Sequence, residues 1–214
     1  MDGPLPPILH LDEAIVAFDK PSGLLSVPGI GPEKADCLAS RADRAVPGAR
    51  IVHRLDRDTS GVIVLARDAD SHRELSRQFH DRETRKVYRA VVSGRVLGED
   101  GTIEAPLRKD LDRPPRHLVD PELGKPARTD WRVVDRSRSG DRTLIEFRPH
   151  TGRTHQLRIH ACVMGHPIVG DDLYAPPEVV AAAPRLMLHA GTLVITHPVT
   201  RERLELEAPV PFGL

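Results

Sequence analysis

The chain has 214 residues, 39% of them hydrophobic and 29% charged. That is enough apolar matter for a packed core, too much for a disordered chain, and a length suited to one large domain. Thirty-one basic and thirty-one acidic residues cancel, so bulk attraction to polyanions is excluded. The longest apolar runs, such as GVIVLA at 61–66, fall far short of the ~18 residues a membrane span needs.

The N-terminal segment MDGPLPPILHLDE has an acid at position 2 and no basic-then-apolar pattern, so no secretory leader is expected. Residues 13–19 (EAIVAFD) predict a short strand, stopped by the turn signal Lys20-Pro21-Ser22-Gly23. A polar, helix-compatible stretch near 36–44 precedes IVHRLDRDTSGVIVLARD, whose second half, 61–66, predicts a buried strand. Ser71 with Glu74 three residues later predicts a capping box, with Leu75 and Phe79 at helical spacing behind it. Residues 85–93 (RKVYRAVVS) alternate as a strand.

From 98 to 126 the chain is turn-rich, with five prolines, and predicts a surface loop. Strands are expected at 129–134 and 142–148, a helix at 154–164 closed by Gly165, and two final strands at 192–196 and 203–207. This order gives an α+β fold with a mixed, mostly antiparallel central sheet flanked by helices and loops.

Much familiar chemistry is missing. There is no phosphate-cradling Walker loop, no Gly-x-Ser-x-Gly elbow and no His-Glu-x-x-His helix. His150, His155 and His160 step by five and share no helical face, so no metal site is expected. Cys37 and Cys162 offer no disulfide framework, which fits a reducing cytoplasm.

Two segments remain loaded with function. In His53-Arg54-Leu55-Asp56, an extended backbone points Leu55 inward and presents Asp56 beside Arg54, an arrangement that taken alone is more often a structural ion pair or an Asx turn. In TGRTHQLRIH at 151–160, a tight turn feeds a helix whose start would carry Arg153 and Arg158 around an anion; a surface salt bridge is the simpler alternative for Arg158. Of the 31 basic residues 26 are Arg, the bidentate reader of phosphate, although a GC-rich genome produces the same bias.

HRLD followed by TSG, the KVYRA strand, TGRTHQLRIH, GHPIVGDDLY at 165–174 and LHA at 188–190 together resemble the motif series of the RluA family of RNA pseudouridine synthases. KPSGLLSVPG at 20–29 and APRLMLHAGTLVITHP at 183–198 resemble the dual-specificity subgroup, and the match runs from about Ile8 to Pro209. The resemblance implies a single pseudouridine synthase catalytic domain over 1–214, with no S4-type RNA-binding module, working as a monomer without metal or cofactor.

It also implies roles. Asp56 matches the aspartate that starts isomerisation, Arg158 the basic residue that pairs with it, Tyr88 the tyrosine lying against the target base, and Arg54 a residue contacting RNA backbone near the flipped nucleotide. The loop DLDRPPRHLVDPELGKPART at 110–129 matches a region that grips RNA, which makes Arg113, Arg116, Lys125 and Arg128, with Arg153, candidate RNA contacts. Arg116 stands where the family pattern has a glutamine, a departure that bears on target choice. The implied RNA is 23S rRNA, the tRNA anticodon stem-loop, or both. Two other readings of these residues are a non-catalytic RNA-binding or RNA-folding protein on the same scaffold, and a base-excising glycosidase using Asp56.

Overall fold

The computed structural model describes residues 3–214, so the acid at position 2 lies outside the described residues. The chain divides into two compact units, residues 3–86 with 190–210 and residues 87–189 with 211–214. Among the described residues, no helix is long and apolar enough to cross a membrane.

The first unit contains β1 (Ile8–Leu11), β2 (Ile15–Lys20), α1 (Leu38–Ala45), β3 (Arg50–Ile51), β4 (Ser60–Ala66) and α2 (Ala69–His80), joined by β11 (Leu188–Thr196) and β12 (Arg203–Glu207). Its strands follow the order β1-β2-β4-β11, with β3 on β4 and β12 on β11. The apolar run at 61–66 has no polar alternation because every residue of β4 is buried, with β2 paired antiparallel along its length. Ile15, Ala17, Val62, Val64, Leu193 and Ile195 pack with Leu75 of α2 in one core cluster.

The sequence places the start of α2 at Ser71, but the cap is Asp68, whose carboxylate accepts from the N–H groups of Asp70 and Ser71 at 2.9 and 2.8 Å. Both are short polar residues able to cap; the helix starts at the earlier one, immediately after β4 ends.

The second unit contains β5 (Arg85–Ser93), β6 (Asp100–Glu104), β7 (Leu107–Lys109), β8 (His117–Val119), β9 (Arg128–Arg136), β10 (Arg142–Pro149), α3 (Gln156–Val163) and the short α4 (Pro177–Ala181). β5, β10, β9 and β6 pair in that order, all antiparallel, and β7 and β8 form a separate hairpin. Ala90, Val92, Ile145 and Phe147 face Leu157 and Ala161 of α3 across the core. On the opposite face Glu146 is buried among Arg89, Arg132 and Arg148. The fold is α+β.

The loop expected over 98–126 instead holds three short strands, with one Asx turn between β7 and β8 and another after β8. Asp110 accepts from the N–H groups of Asp112 and Arg113, and Asp120 from those of Glu122 and Leu123. Prolines and acids signal turns but hide strands of three to five residues, which carry too little periodicity to read. The helix expected at 154–164 begins at Gln156, because His155 takes a left-handed backbone with φ 56°.

Several contacts fix the turn that carries HRLD. Lys20 is fully buried, and its ammonium donates to the carbonyls of Pro21, Leu24 and Arg57 at 3.0, 2.7 and 3.0 Å. Ser26 donates to the Leu55 carbonyl at 2.7 Å and accepts from the Leu55 N–H at 3.1 Å. The His53 ring stacks on Phe79 at 4.3 Å between centroids, and its Nε2 accepts from the Val64 N–H at 3.1 Å. Desolvation, reinforced by the nearby Lys86 charge, pushes the His53 pKa down to about 3, so the ring is neutral.

Two predictions test this anchoring. Gly61 has φ 113°, and a Cβ there would strike the Ala190 backbone, so Gly61→Ala should cost at least ~3 kcal/mol in thermal or urea unfolding. For His53 the unfolded chain binds its proton below about pH 6.5 while the folded chain binds it only near pH 3. Stability should therefore fall by up to ~1.4 kcal/mol per pH unit across that window, and His53→Gln should remove this component from urea melts run between pH 7 and 4.5.

Candidate active site

Backbone constraints place Asp56 on a turn whose flanks are already fixed. Leu55 is buried, Arg54 is exposed and Asp56 is half-buried, as the extended reading of this segment requires. The Asp56 carbonyl accepts from the Thr59 N–H at 3.2 Å and closes the turn, while Arg57 pairs with Asp58 at 3.0 Å. Among the described residues of its own unit, the Asp56 carboxylate caps no backbone N–H.

In the second unit the segment 151–160 is stitched into place by buried polar groups. Thr151 donates to the Gln156 side-chain oxygen at 2.7 Å, and the Gln156 amide donates to the Arg128 carbonyl and the Thr129 hydroxyl at 3.0 and 2.9 Å. Buried His160 meets the same Thr129 hydroxyl at 2.9 Å, and burial pushes its pKa down. These bonds set the start of α3 against β9.

Arg158 is the consequence of that placement. It is only 2% exposed and its guanidinium grips Asp171, itself fully buried, through Nε at 2.8 Å and Nη2 at 2.5 Å, with Asp172 at 3.0 Å. Two parallel bonds fix the plane of the cation as well as its position. Oδ1 of Asp171 also accepts from the N–H groups of Leu173 and Tyr174. Tyr88, half-buried on β5 opposite Phe147, packs against the core of its unit.

The candidate RNA contacts are gathered unevenly. Arg116 and Arg158 lie 5.2 and 5.3 Å from the centroid of one ring, that of Tyr174. Arg153 donates from Nε to the Pro126 carbonyl at 3.1 Å, joining the start of α3 to the end of the hairpin segment. Arg113 is tied to Asp110 at 3.0 Å, Arg128 lies 3.5 Å from Glu104, and Lys125 is exposed. Arg54 is an exposed side chain of the first unit.

The sequence reading did not single out Asp171 or Tyr174. Both sit inside GDDLY, and the available signal was a doubled acid after Gly170, whose φ of 77° makes a tight turn. Neither burial nor a partner thirteen residues away is written in that pattern.

A family model described as RNA pseudouridylate synthase matches residues 14–162. The dual-specificity RNA pseudouridine synthase RluA of Yersinia pestis is 48% identical over 191 residues, covering 89% of this chain and 92% of that protein. Its namesake from Escherichia coli K12 is 46% identical over 205 residues, covering 96% and 93%. Among solved structures, human RNA pseudouridylate synthase domain containing 1 matches with a TM-score of 0.82 at 27% identity, covering 100% of this chain and 87% of that one. Human RNA pseudouridylate synthase domain containing 4 gives 0.76 at 26%, covering 95% and 88%. With a matched segment that spans well over half of its length, the chain belongs to the RNA pseudouridylate synthase family.

Proposed function

We propose that this protein isomerises uridines of structured RNA to pseudouridine, in 23S rRNA, in the tRNA anticodon stem-loop, or in both, as a single catalytic module acting as a cytoplasmic monomer. The observation that carries the proposal is Asp56: a half-buried carboxylate on a turn clamped by buried Lys20 and Ser26, which among the described residues of its own unit caps no backbone N–H. A structural aspartate at such a turn would cap a backbone N–H, as Asp68, Asp110 and Asp120 do here.

The chemistry breaks the N1–C1′ glycosidic bond, turns the base and joins C5 to C1′, with the C5 proton released to solvent and N1 protonated. Asp56 starts it, by adding to the sugar or by taking a sugar proton; either step uses the ionised carboxylate. The detached base carries negative charge, which a fixed guanidinium such as Arg158 stabilises without reorganising. Tyr88 offers a ring face to the extruded base, a contact type worth ~1–3 kcal/mol against an unstacking cost of a few kcal/mol. Arg54, Arg113, Arg116, Lys125, Arg128 and Arg153 hold phosphates and loop bases, so affinity comes from local contacts in a chain with no net charge.

Asp56→Asn should leave the fold and RNA affinity within about threefold of wild type and lower tritium release from 5-tritiated uridine RNA by at least ~10³-fold. Sustained release from that variant would remove Asp56 from the mechanism, and free uracil among the products would mark a glycosidase. Asp171→Ala removes the bidentate, fully buried partner of Arg158 and leaves Asp172, half-exposed, at 3.0 Å. A loss of about 3 kcal/mol in urea unfolding is expected, because the buried charge keeps only a solvent-screened partner.

A further inference from the structure

The segment 107–128 holds six basic against four acidic residues, and its end is tied to α3 by Arg153 on the Pro126 carbonyl and Gln156 on the Arg128 carbonyl, while Tyr174 ties the start of β8 to the residue that opens α3. The tyrosine ring packs with Leu107, Ala127 and Ile159, so the apolar contacts alone would be met by phenylalanine. Its hydroxyl has separate work. It accepts from the His117 backbone N–H at the start of β8 at 2.9 Å and lies 2.7 Å from Nδ1 of His155. These two partners belong to different elements, the basic hairpin and the left-handed residue that opens α3.

The same ring lies against the guanidinium of Arg158 and that of Arg116. Its backbone N–H is held at 3.1 Å by Asp171, the carboxylate that grips Arg158. Hairpin, phenol, guanidinium and buried carboxylate therefore form one continuous set of contacts within the second unit.

We propose that Tyr174 is a positioning residue that sets the basic hairpin in register with Arg158, so that RNA seated on the hairpin is delivered to the reacting end of α3. It touches no substrate in this role; it acts through His117 and Arg116 on one side and Arg158 on the other. The inference rests on the reading of residues 110–129 as an RNA contact, and its test is arranged so that the two fail differently.

The test compares wild type, Tyr174→Phe, the double variant Arg113→Ala/Lys125→Ala and the triple combination, using tritium release from an anticodon stem-loop transcript over a range of salt. The double variant should raise KM and weaken the salt dependence by close to two phosphate contacts. Tyr174→Phe should raise KM about tenfold with kcat within twofold, because two polar tethers are lost while the ring remains. The triple variant should be no worse than the more impaired parent, since a hairpin already out of register loses nothing further.

Effects that multiply in the triple variant, or a fall in kcat with KM unchanged in Tyr174→Phe, would overturn the positioning role and leave the hairpin as an RNA contact. A double variant with wild-type KM and salt slope would instead overturn the hairpin reading, and the positioning role with it. Hydrogen exchange supplies a readout apart from turnover. In Tyr174→Phe the amides of β7 and β8 should exchange at least ~10-fold faster while β5 and β10 keep their protection; equal acceleration throughout would show a general loss of stability and overturn the inference.

Discussion

A guanidinium kept charged in a site that excludes water is the constraint around which the second unit is organised. Arg158 cannot give up its proton, so burial at 2% exposure demands a partner of opposite charge with matched geometry. Asp171 meets that demand by accepting from Nε and Nη2, and its Oδ1 also accepts from the N–H groups of Leu173 and Tyr174. A buried pair of this kind adds little net stability once desolvation is counted, but it admits a single geometry. Under the proposed function, that property lets Arg158 meet developing negative charge without rearranging.

The first unit solves a different problem. The turn that carries Asp56 is held by the Lys20 ammonium on three carbonyls, the Ser26 hydroxyl on Leu55, and the neutral His53 ring between Phe79 and the Val64 amide. The HRLD motif thereby separates into a structural pair, His53 and Leu55, and an outward pair, Arg54 and Asp56. Its alternation in sequence is the imprint of an extended backbone with one side committed to packing.

Legibility in the sequence followed the length and periodicity of each element. The strand over 85–93 and the strand over 203–207 match their expected bounds, and the buried strand expected from 61 begins at Ser60, because each alternates or runs apolar long enough to read. The hairpin at 107–119 was unreadable because three-residue strands have no period, and its order comes from Asx turns and from Tyr174. The start of α2 was misplaced because Asp68 and Ser71 are both competent caps. Among site residues, Asp56, Tyr88 and Arg158 could be matched through motif resemblance, whereas Asp171 and Tyr174 owe their importance to contacts formed only when the chain folds.

Nucleoside analysis by mass spectrometry of unmodified 23S rRNA and anticodon stem-loop transcripts, incubated with the purified protein alone, tests the central claim most directly. The account predicts that uridine lost at discrete positions is recovered in full as pseudouridine, with no uracil in solution. Transcripts that remain unmodified, or uracil appearing in place of the new nucleoside, would contradict it.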